Sequence, residues 1–396
     1  MRIALTLATL LAAGSAAAAT EVSDHARELA DNMLLIDTHI DVPYRLEKHF
    51  EDISKATPNG DFDYPRADAG GLDVAFMSIY IPSRIQDDAD EAQDLANRLI
   101  DTVEEIVADS PDKFTMVYST EKAEELAGGK RIGFALGMEN GAPIRTLEDL
   151  QYFYDRGIRY ITLTHGKSNH ISDSSYDHDH QWHGLSEFGK ELVPAMNKLG
   201  VMVDISHVSD EAFWQALEIS EVPLIATHSS ARRFTEGFER NMSDDMIKAL
   251  AEKGGVIQIN FGSTFISARS RAWSTELGSY RREWLEDEGL EDNDVAARAF
   301  SAGYAAAHPF PFATLDDVLD HFDHVVKIAG IDHVGIGSDY DGVGDSLPVG
   351  LKSVADYPRL VQGLLDRGYS EDDIQKILGG NALRVWKATE DYAASH

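Results

Sequence analysis

The sequence predicts an α/β protein, a single (β/α)8 TIM-type barrel with a helical insertion after its seventh strand. Three observations lead there: eight short runs of apolar, largely β-branched residues; amphipathic helical segments between them; and no repeat, Gly/Ser stretch or Pro-rich linker dividing the chain. Runs that are apolar along their length read as strands buried on both faces, which means a parallel sheet covered by helices. Eight such units in succession favour a closed barrel over an open sheet.

Met33 to Ile36 is the first strand and Val74 to Tyr80 the second, followed by Leu95, Leu99, Val103, Ile106 and Val107 at helical spacing. Ile132 to Gly137 is the third, with Leu147 to Tyr154 as its helix. Tyr160 to Thr164 is the fourth; its helix, Phe188 to Leu199, begins behind the cap Ser186-Glu187. Val201 to Ile205 and Leu224 to Thr227 follow, each with a helix opened by a serine and acidic residues, Ser209-Asp210-Glu211 and Ser243-Asp244-Asp245. Val256 to Asn260 is the seventh strand. Ser263 to Ala307 is then an insertion over the barrel mouth, containing helical stretches at Trp273 to Leu285 and Asp294 to Ala306. Thr314 ahead of Asp316 and Asp317 caps the next helix, Val334 to Gly337 is the eighth strand, and Gly379-Gly380-Asn381 reads as the end of one helix and the start of another.

At the N-terminus, Arg2, the apolar stretch Ile3 to Ala13 and the small-residue run Ser15 to Ala19 read as a secretory signal over residues 1–19, too short to span a membrane. The barrel domain is then 20–396, and the expected location is the periplasm or the secreted fraction. The sequence has 68 Asp and Glu against 35 Lys and Arg, a net charge of −33, and no cysteine. The acidic excess argues against nucleic acid or an anionic membrane as partner and is read as solubility. Without cysteine there are no disulfides and no thiolate metal site. The polar C-terminal stretch and the missing cysteine leave no membrane anchor expected.

In a parallel barrel, chemistry gathers where strands end. The first strand leads to His39 and Asp41, the third to Glu139-Asn140, the fourth to His165, the fifth to His207, the sixth to His228 and the eighth to Asp339-Tyr340-Asp341. The second leads to Pro82-Ser83 and the seventh to Asn260-Phe261, which are weak ligands. A set of nitrogen and oxygen donors without sulfur suits zinc or another first-row divalent ion. These histidines and carboxylates exceed the needs of one tetrahedral ion, so a pair is expected, with Glu139 bridging, His39 and Asp41 on one side and His207 and His228 on the other. Two close ions share a water and lower its pKa, giving a hydroxide nucleophile at neutral pH.

These residues resemble the membrane dipeptidase (renal dipeptidase) family of zinc peptidases. The resemblance spans nearly the whole mature chain. It rests on Asp37-Thr38-His39-Ile40-Asp41, Gly137-Met138-Glu139-Asn140, Leu163-Thr164-His165, Asp204-Ile205-Ser206-His207, Thr227-His228-Ser229-Ser230, Arg240-Asn241, Gly335 to Gly342 and Gly379 to Arg384. It implies two zinc ions held by His39, Asp41, Glu139, His207 and His228. It also implies that His165 binds the scissile carbonyl oxygen, Arg240 the free C-terminal carboxylate of a dipeptide, and Asp339 the proton in transit from water to leaving amine. Substrates with a C-terminal D-residue and β-lactam-type dehydropeptides fall within the family's range. Rival readings are another dizinc amidohydrolase on the same barrel, such as an N-acyl-amino acid or lactone hydrolase, and an exported solute-binding protein.

Other features are assigned lesser roles. Asp37 is expected to support His39, and Asp341 to orient Asp339 or its loop. The His-rich stretch Asp177 to His183 is a lid or pocket wall rather than a metal cluster. Disulfide-linked dimers are impossible, so any homodimer is non-covalent. The intact mass of the protein recovered from the periplasmic fraction is expected to match a chain starting near Thr20; retention of Met1 would contradict export.

Overall fold

The computed structural model describes residues 21–290 and 295–396; the expected secretory signal lies outside the described residues. The strands are β1 (Ile36–Ile40), β2 (Val74–Tyr80), β3 (Phe114–Met116), β4 (Ile132–Glu139), β5 (Ile158–Thr162), β6 (Met202–Asp204), β7 (Ile225–Ser229), β8 (Val256–Ile259) and β9 (Val334–Ile336). Eight of them pair in the order β1-β2-β4-β5-β6-β7-β8-β9, all parallel, and helices cover the outside. The barrel predicted from the sequence is the fold observed. Its last seam is closed just past the strands: Asp41 N–H donates to the Tyr340 carbonyl at 2.9 Å, and Asp339 N–H to that of His39 at 3.1 Å. Inside, the Thr38 hydroxyl donates to the Thr227 carbonyl at 2.6 Å, tying β1 to β7.

Three local expectations are corrected. The first strand is Ile36–Ile40 rather than Met33 to Ile36, because its polar residues are buried and satisfied. Asp37 accepts from the N–H groups of His39 and Ser338 and from the Tyr357 hydroxyl. A ninth short strand, β3, pairs with the first half of β4, below the point where β5 takes over. The glycine pair does not separate two helices: Lys376–Gly380 is a π-helical turn running straight into the C-terminal helix Asn381–Ser395. A side chain at Gly379 would lie 2.5 Å from the Leu34 carbonyl oxygen, so glycine there permits close packing against the start of the barrel. The N-terminal helix Asp24–Asn32, capped by Ser23, was also not foreseen.

The core has two layers. The larger one lies between strands and helices. The smaller plugs the bottom of the barrel and contains Ile36, Val74, Phe76, Tyr160, Met202, Ile225 and Val256, with Trp386 of the C-terminal helix. The Phe76 ring packs 5.1 Å from Trp386 and 5.4 Å from Tyr160. With the bottom filled by apolar side chains, polar groups collect at the opposite, C-terminal end of the strands.

Gly337 follows β9 where this interior is tightest: a β-carbon there would sit 1.8 Å from the Thr227 carbonyl oxygen. Gly337→Ala should lower the urea midpoint, with a loss of about 1–3 kcal/mol for overpacking; an unchanged midpoint would show that the seam yields freely.

Candidate metal centre

His39 and His228 lie within β1 and β7, and Glu139 is the last residue of β4. Asp41 stands at the start of the helix Val42–Lys48 without a capping hydrogen bond from its side chain, while His165, His207 and Asp339 stand just past β5, β6 and β9. The strands therefore run further than their apolar residues suggest, and they bring all seven side chains to one end of the barrel.

Glu139 organises the group. Its Oε2 faces His39 Nε2 at 3.5 Å, and its Oε1 faces the Nε2 atoms of His207 and His228, each at 3.2 Å, and that of His165 at 3.6 Å. His39 Nε2 also lies 3.4 Å from Asp41 Oδ2. Donors around a tetrahedral zinc at ordinary bond lengths stand about 3.4 Å apart, so these separations fit ligands of ions better than partners of one another. His39 Nε2 is buried without a hydrogen-bond partner. The Nε2 atoms of His207 and His228 face each other at 2.9 Å, a distance that two N–H groups cannot share. The residues present thus fit metal ligands, and Glu139 is shared by two of the groups they form.

The surrounding hydrogen bonds set the lone pairs. Thr227 gives its hydroxyl proton to Asp204 Oδ2 at 2.7 Å, so toward His228 Nδ1, 2.9 Å away, it accepts, and His228 Nε2 is left as the lone pair. Asp204 is itself anchored by the N–H groups of Ser206 and Thr227 and by the Thr162 hydroxyl. On the other side, His39 Nδ1 lies 2.8 Å from the Tyr160 hydroxyl. Asp37, expected to support the His39 ring, instead holds the backbone of its strand, and Tyr160 meets the ring.

Charge follows the same division. Burial pushes the Glu139 carboxyl up, but His39 foremost, then His165, His207 and His228, hold it well below the usual carboxylate range. Burial, aided by Arg240 and His165, keeps His207 well below the usual imidazole range, and burial beside His39 does the same to His228; neutral imidazoles are the form that binds metal. Burial lowers the His39 pKa too, yet Tyr160, Glu139 and Asp41 raise it well above normal, so its surroundings favour positive charge at this point. Burial and the nearby Asp41 push Asp339 well up. Its Oδ2 accepts from Asn260 Nδ2 at 2.6 Å.

Backbone strain marks the same end of the barrel. Asn140, His207, Asp339 and Asp341 have φ of 73°, 70°, 63° and 66°, in the left-handed region that non-glycine residues avoid. A cavity of about 770 Å³ opens onto the centre, lined by Asp41, Glu139, His165, His207 and Asp339 together with Tyr80 and Tyr176.

A sequence profile of the membrane dipeptidase family (peptidase family M19) matches residues 23–396. The chain belongs to that family. A relative described as an uncharacterized dipeptidase of Schizosaccharomyces pombe is 32% identical over 383 residues, covering 92% of this chain and 82% of its own. Dipeptidase 3 of Mus musculus is 30% identical over 377 residues, covering 93% of this chain and 66% of the mouse chain. Among solved structures, the probable dipeptidase PvdM of Pseudomonas aeruginosa superposes with a TM-score of 0.81 at 29% identity, covering 93% of this chain and 98% of that one. A metallo peptidase of Rhodobacter sphaeroides, liganded with a phosphinate mimic of the dipeptide L-Ala-D-Ala, has the same fold, with a TM-score of 0.73 at 22% identity, covering 90% of this chain and 99% of that one.

In this dipeptidase-family chain, His165 lines the cavity with its ring 4.2 Å from that of His207 and 4.8 Å from Tyr80. Arg240 is buried: its guanidinium donates to Ser229 Oγ at 2.8 Å and the His228 carbonyl at 2.7 Å, and its Nε has no partner. Arg232, eight residues upstream, is occupied by Asp210. Asp341 pairs with Arg45 at 3.0 Å and accepts from Asp61 N–H, so it fixes the loop and does not touch the centre. In the His-rich stretch, His180 faces Glu211 at 3.4 Å, away from the centre; the neighbouring Tyr176 is the cavity wall.

Sequence reasoning missed Tyr160, Asp204 with Thr227, and Asn260. Asn260 carried a signal, a polar residue at a strand end. Tyr160 carried none, since an aromatic inside a strand reads as core. Asp204→Ala strips the acceptor from two N–H groups and two hydroxyls, all buried; a stability loss of about 3 kcal/mol or more is expected in thermal denaturation, and a loss below about 1 kcal/mol would mean that the network is not what orders His228.

Proposed function

We propose that this protein is an exported, zinc-dependent dipeptidase hydrolysing the peptide bond of small dipeptides. The observation that carries the reading is the split of Glu139, one oxygen toward His39 and the other toward His207 and His228, beside the buried guanidinium of Arg240. His39, Asp41, Glu139, His207 and His228 would hold two zinc ions. Bound there, the ions would supply Lewis acidity and a water acidic enough to ionise at neutral pH.

The chain's own residues do the rest. No carboxylate pairs with Arg240 among the described residues, so it is available to grip the C-terminal carboxylate of a dipeptide, which fixes substrate length at one end. His165, partly exposed in the cavity, meets the carbonyl oxygen of the scissile bond and stabilises the charge that develops there. Asp339, with Asn260 holding one oxygen, receives a proton from the attacking water and passes it to the leaving amine. The L-Ala-D-Ala mimic held by the Rhodobacter sphaeroides relative supports testing C-terminal D-residues.

The test is a panel of L-L and L-D dipeptides and N-acylated amino acids, assayed before and after chelation and with zinc restored. Dipeptide cleavage that is lost on chelation and recovered with zinc is expected. His39→Ala and Asp41→Ala should each abolish turnover, by 10³-fold or more as an order of magnitude for loss of a metal-centred step, with the circular dichroism of the barrel unchanged. Cleavage of N-acyl-amino acids without release of amino acids from any dipeptide would overturn the reading.

A further inference from the structure

The arginines that are buried or half-buried divide by what they touch. Arg45, Arg66, Arg156, Arg232 and Arg367 each meet a carboxylate at 2.8 Å or less, and Arg145, Arg159 and Arg384 donate to backbone carbonyls. Arg271 does neither. Its guanidinium lies 3.8 Å over the Phe238 ring, half-buried, and no carboxylate or side-chain hydrogen-bond partner meets it among the described residues. Phe238 packs in turn against Tyr176 and Phe265, at 6.0 and 5.8 Å between ring centroids, and both of those line the cavity. Arg240 stands 5.5 Å from the same Phe265 ring. The charges of both arginines are felt at the Tyr176 hydroxyl. Two guanidinium groups therefore stand behind one aromatic wall of the cavity, neither neutralised by a carboxylate among the described residues, while Lys48 and Arg84 are the cations of the lining itself.

That is notable in a chain of net charge −33, where acidic partners abound and most cations find one. A single carboxylate is satisfied by one guanidinium through two parallel hydrogen bonds. With Arg240 assigned to the α-carboxylate, Arg271 is left to serve a second anion on the same side of the scissile bond. Its position is fixed by the base of the insertion. It sits in the first turn of the helix Ala268–Glu288, where Arg269 pairs with Asp317 at 3.1 Å and the Ser270 hydroxyl donates to the Pro311 carbonyl.

We propose that Arg271 is a specificity-determining residue that pairs with a side-chain carboxylate on the C-terminal residue, so that the preferred dipeptides end in Asp or Glu. The proposal rests on the dipeptidase reading and on Arg240 taking the α-carboxylate. It gives the insertion after β8 a role: beside Phe265, it adds a cation near a cavity whose lining already includes Lys48 and Arg84. Long-range repulsion by the acidic surface disfavours a substrate with two carboxylates and a net negative charge, and the local pair of guanidiniums offsets it at the wall.

The experiment is steady-state kinetics of the holoenzyme and its Arg271→Gln and Arg271→Lys variants on Ala-Glu and Ala-Gln, each with an L- and a D-configured C-terminal residue, and on Glu-Ala and Gln-Ala. The wild type is expected to favour Ala-Glu over the isosteric Ala-Gln by about tenfold or more in kcat/KM, mainly through KM. Arg271→Gln should bring that ratio near one, and Arg271→Lys should keep part of it. A wild type with no preference, an unchanged ratio in Arg271→Gln, an equal loss on both substrates, or a preference for Glu-Ala instead would each overturn the proposal. Normal cleavage of Ala-Gln without a Glu preference removes only this inference; cleavage of no dipeptide removes the dipeptidase reading and this inference with it.

Discussion

Glu139 is a carboxylate buried at the base of a cavity with four imidazoles around it, and taking such a charge out of water is costly unless positive charge or strong donors face it. Ser78 donates to Oε2 at 3.2 Å, a modest compensation. The imidazoles of His207 and His228 are held neutral by burial and so do not neutralise the carboxylate themselves. The cage therefore favours positive charge, as the raised His39 pKa also shows. The proposed pair of zinc ions resolves several observations at once: the unpartnered His39 Nε2, the close approach of the His207 and His228 Nε2 atoms, and the crowding of Asp41 against Asp339.

The barrel meets this demand through its geometry. Parallel strands end together, so residues distant in sequence converge at one rim, while Trp386, Phe76 and Tyr160 fill the opposite end. The left-handed backbone at Asn140, His207, Asp339 and Asp341 turns polar side chains inward just where the strands stop. Such strain is tolerated because hydrogen bonds around it over-determine the loops, as the Asp341–Arg45 and Asn260–Asp339 contacts do.

The fold was legible because its strands are apolar along their length and its helices carry caps. Ser186, Ser209, Ser243 and Thr314 all cap as the sequence indicated. The candidate centre was legible because ligand residue types recur in register with strand ends. What escaped is of another physical kind. β1 was displaced because burial of Asp37, Thr38 and His39 depends on partners far along the chain, such as Tyr357 and Thr227. Asp37 does not meet the His39 ring because its carboxylate is taken up by the His39 and Ser338 N–H groups and the Tyr357 hydroxyl, whereas Tyr160 reaches His39 across the barrel interior. The charge of Arg271 became informative only because no carboxylate meets it among the described residues, which sequence does not display.

The central claim is that Glu139 divides two cation sites between its oxygens. Crystals of protein stripped by chelator and reconstituted with zinc, measured on both sides of the zinc absorption edge, test it most directly. Two anomalous peaks are predicted, one between Glu139 and the His39–Asp41 pair and one between Glu139 and the His207–His228 pair. A single peak, or peaks elsewhere with Glu139 contacting none, would contradict it.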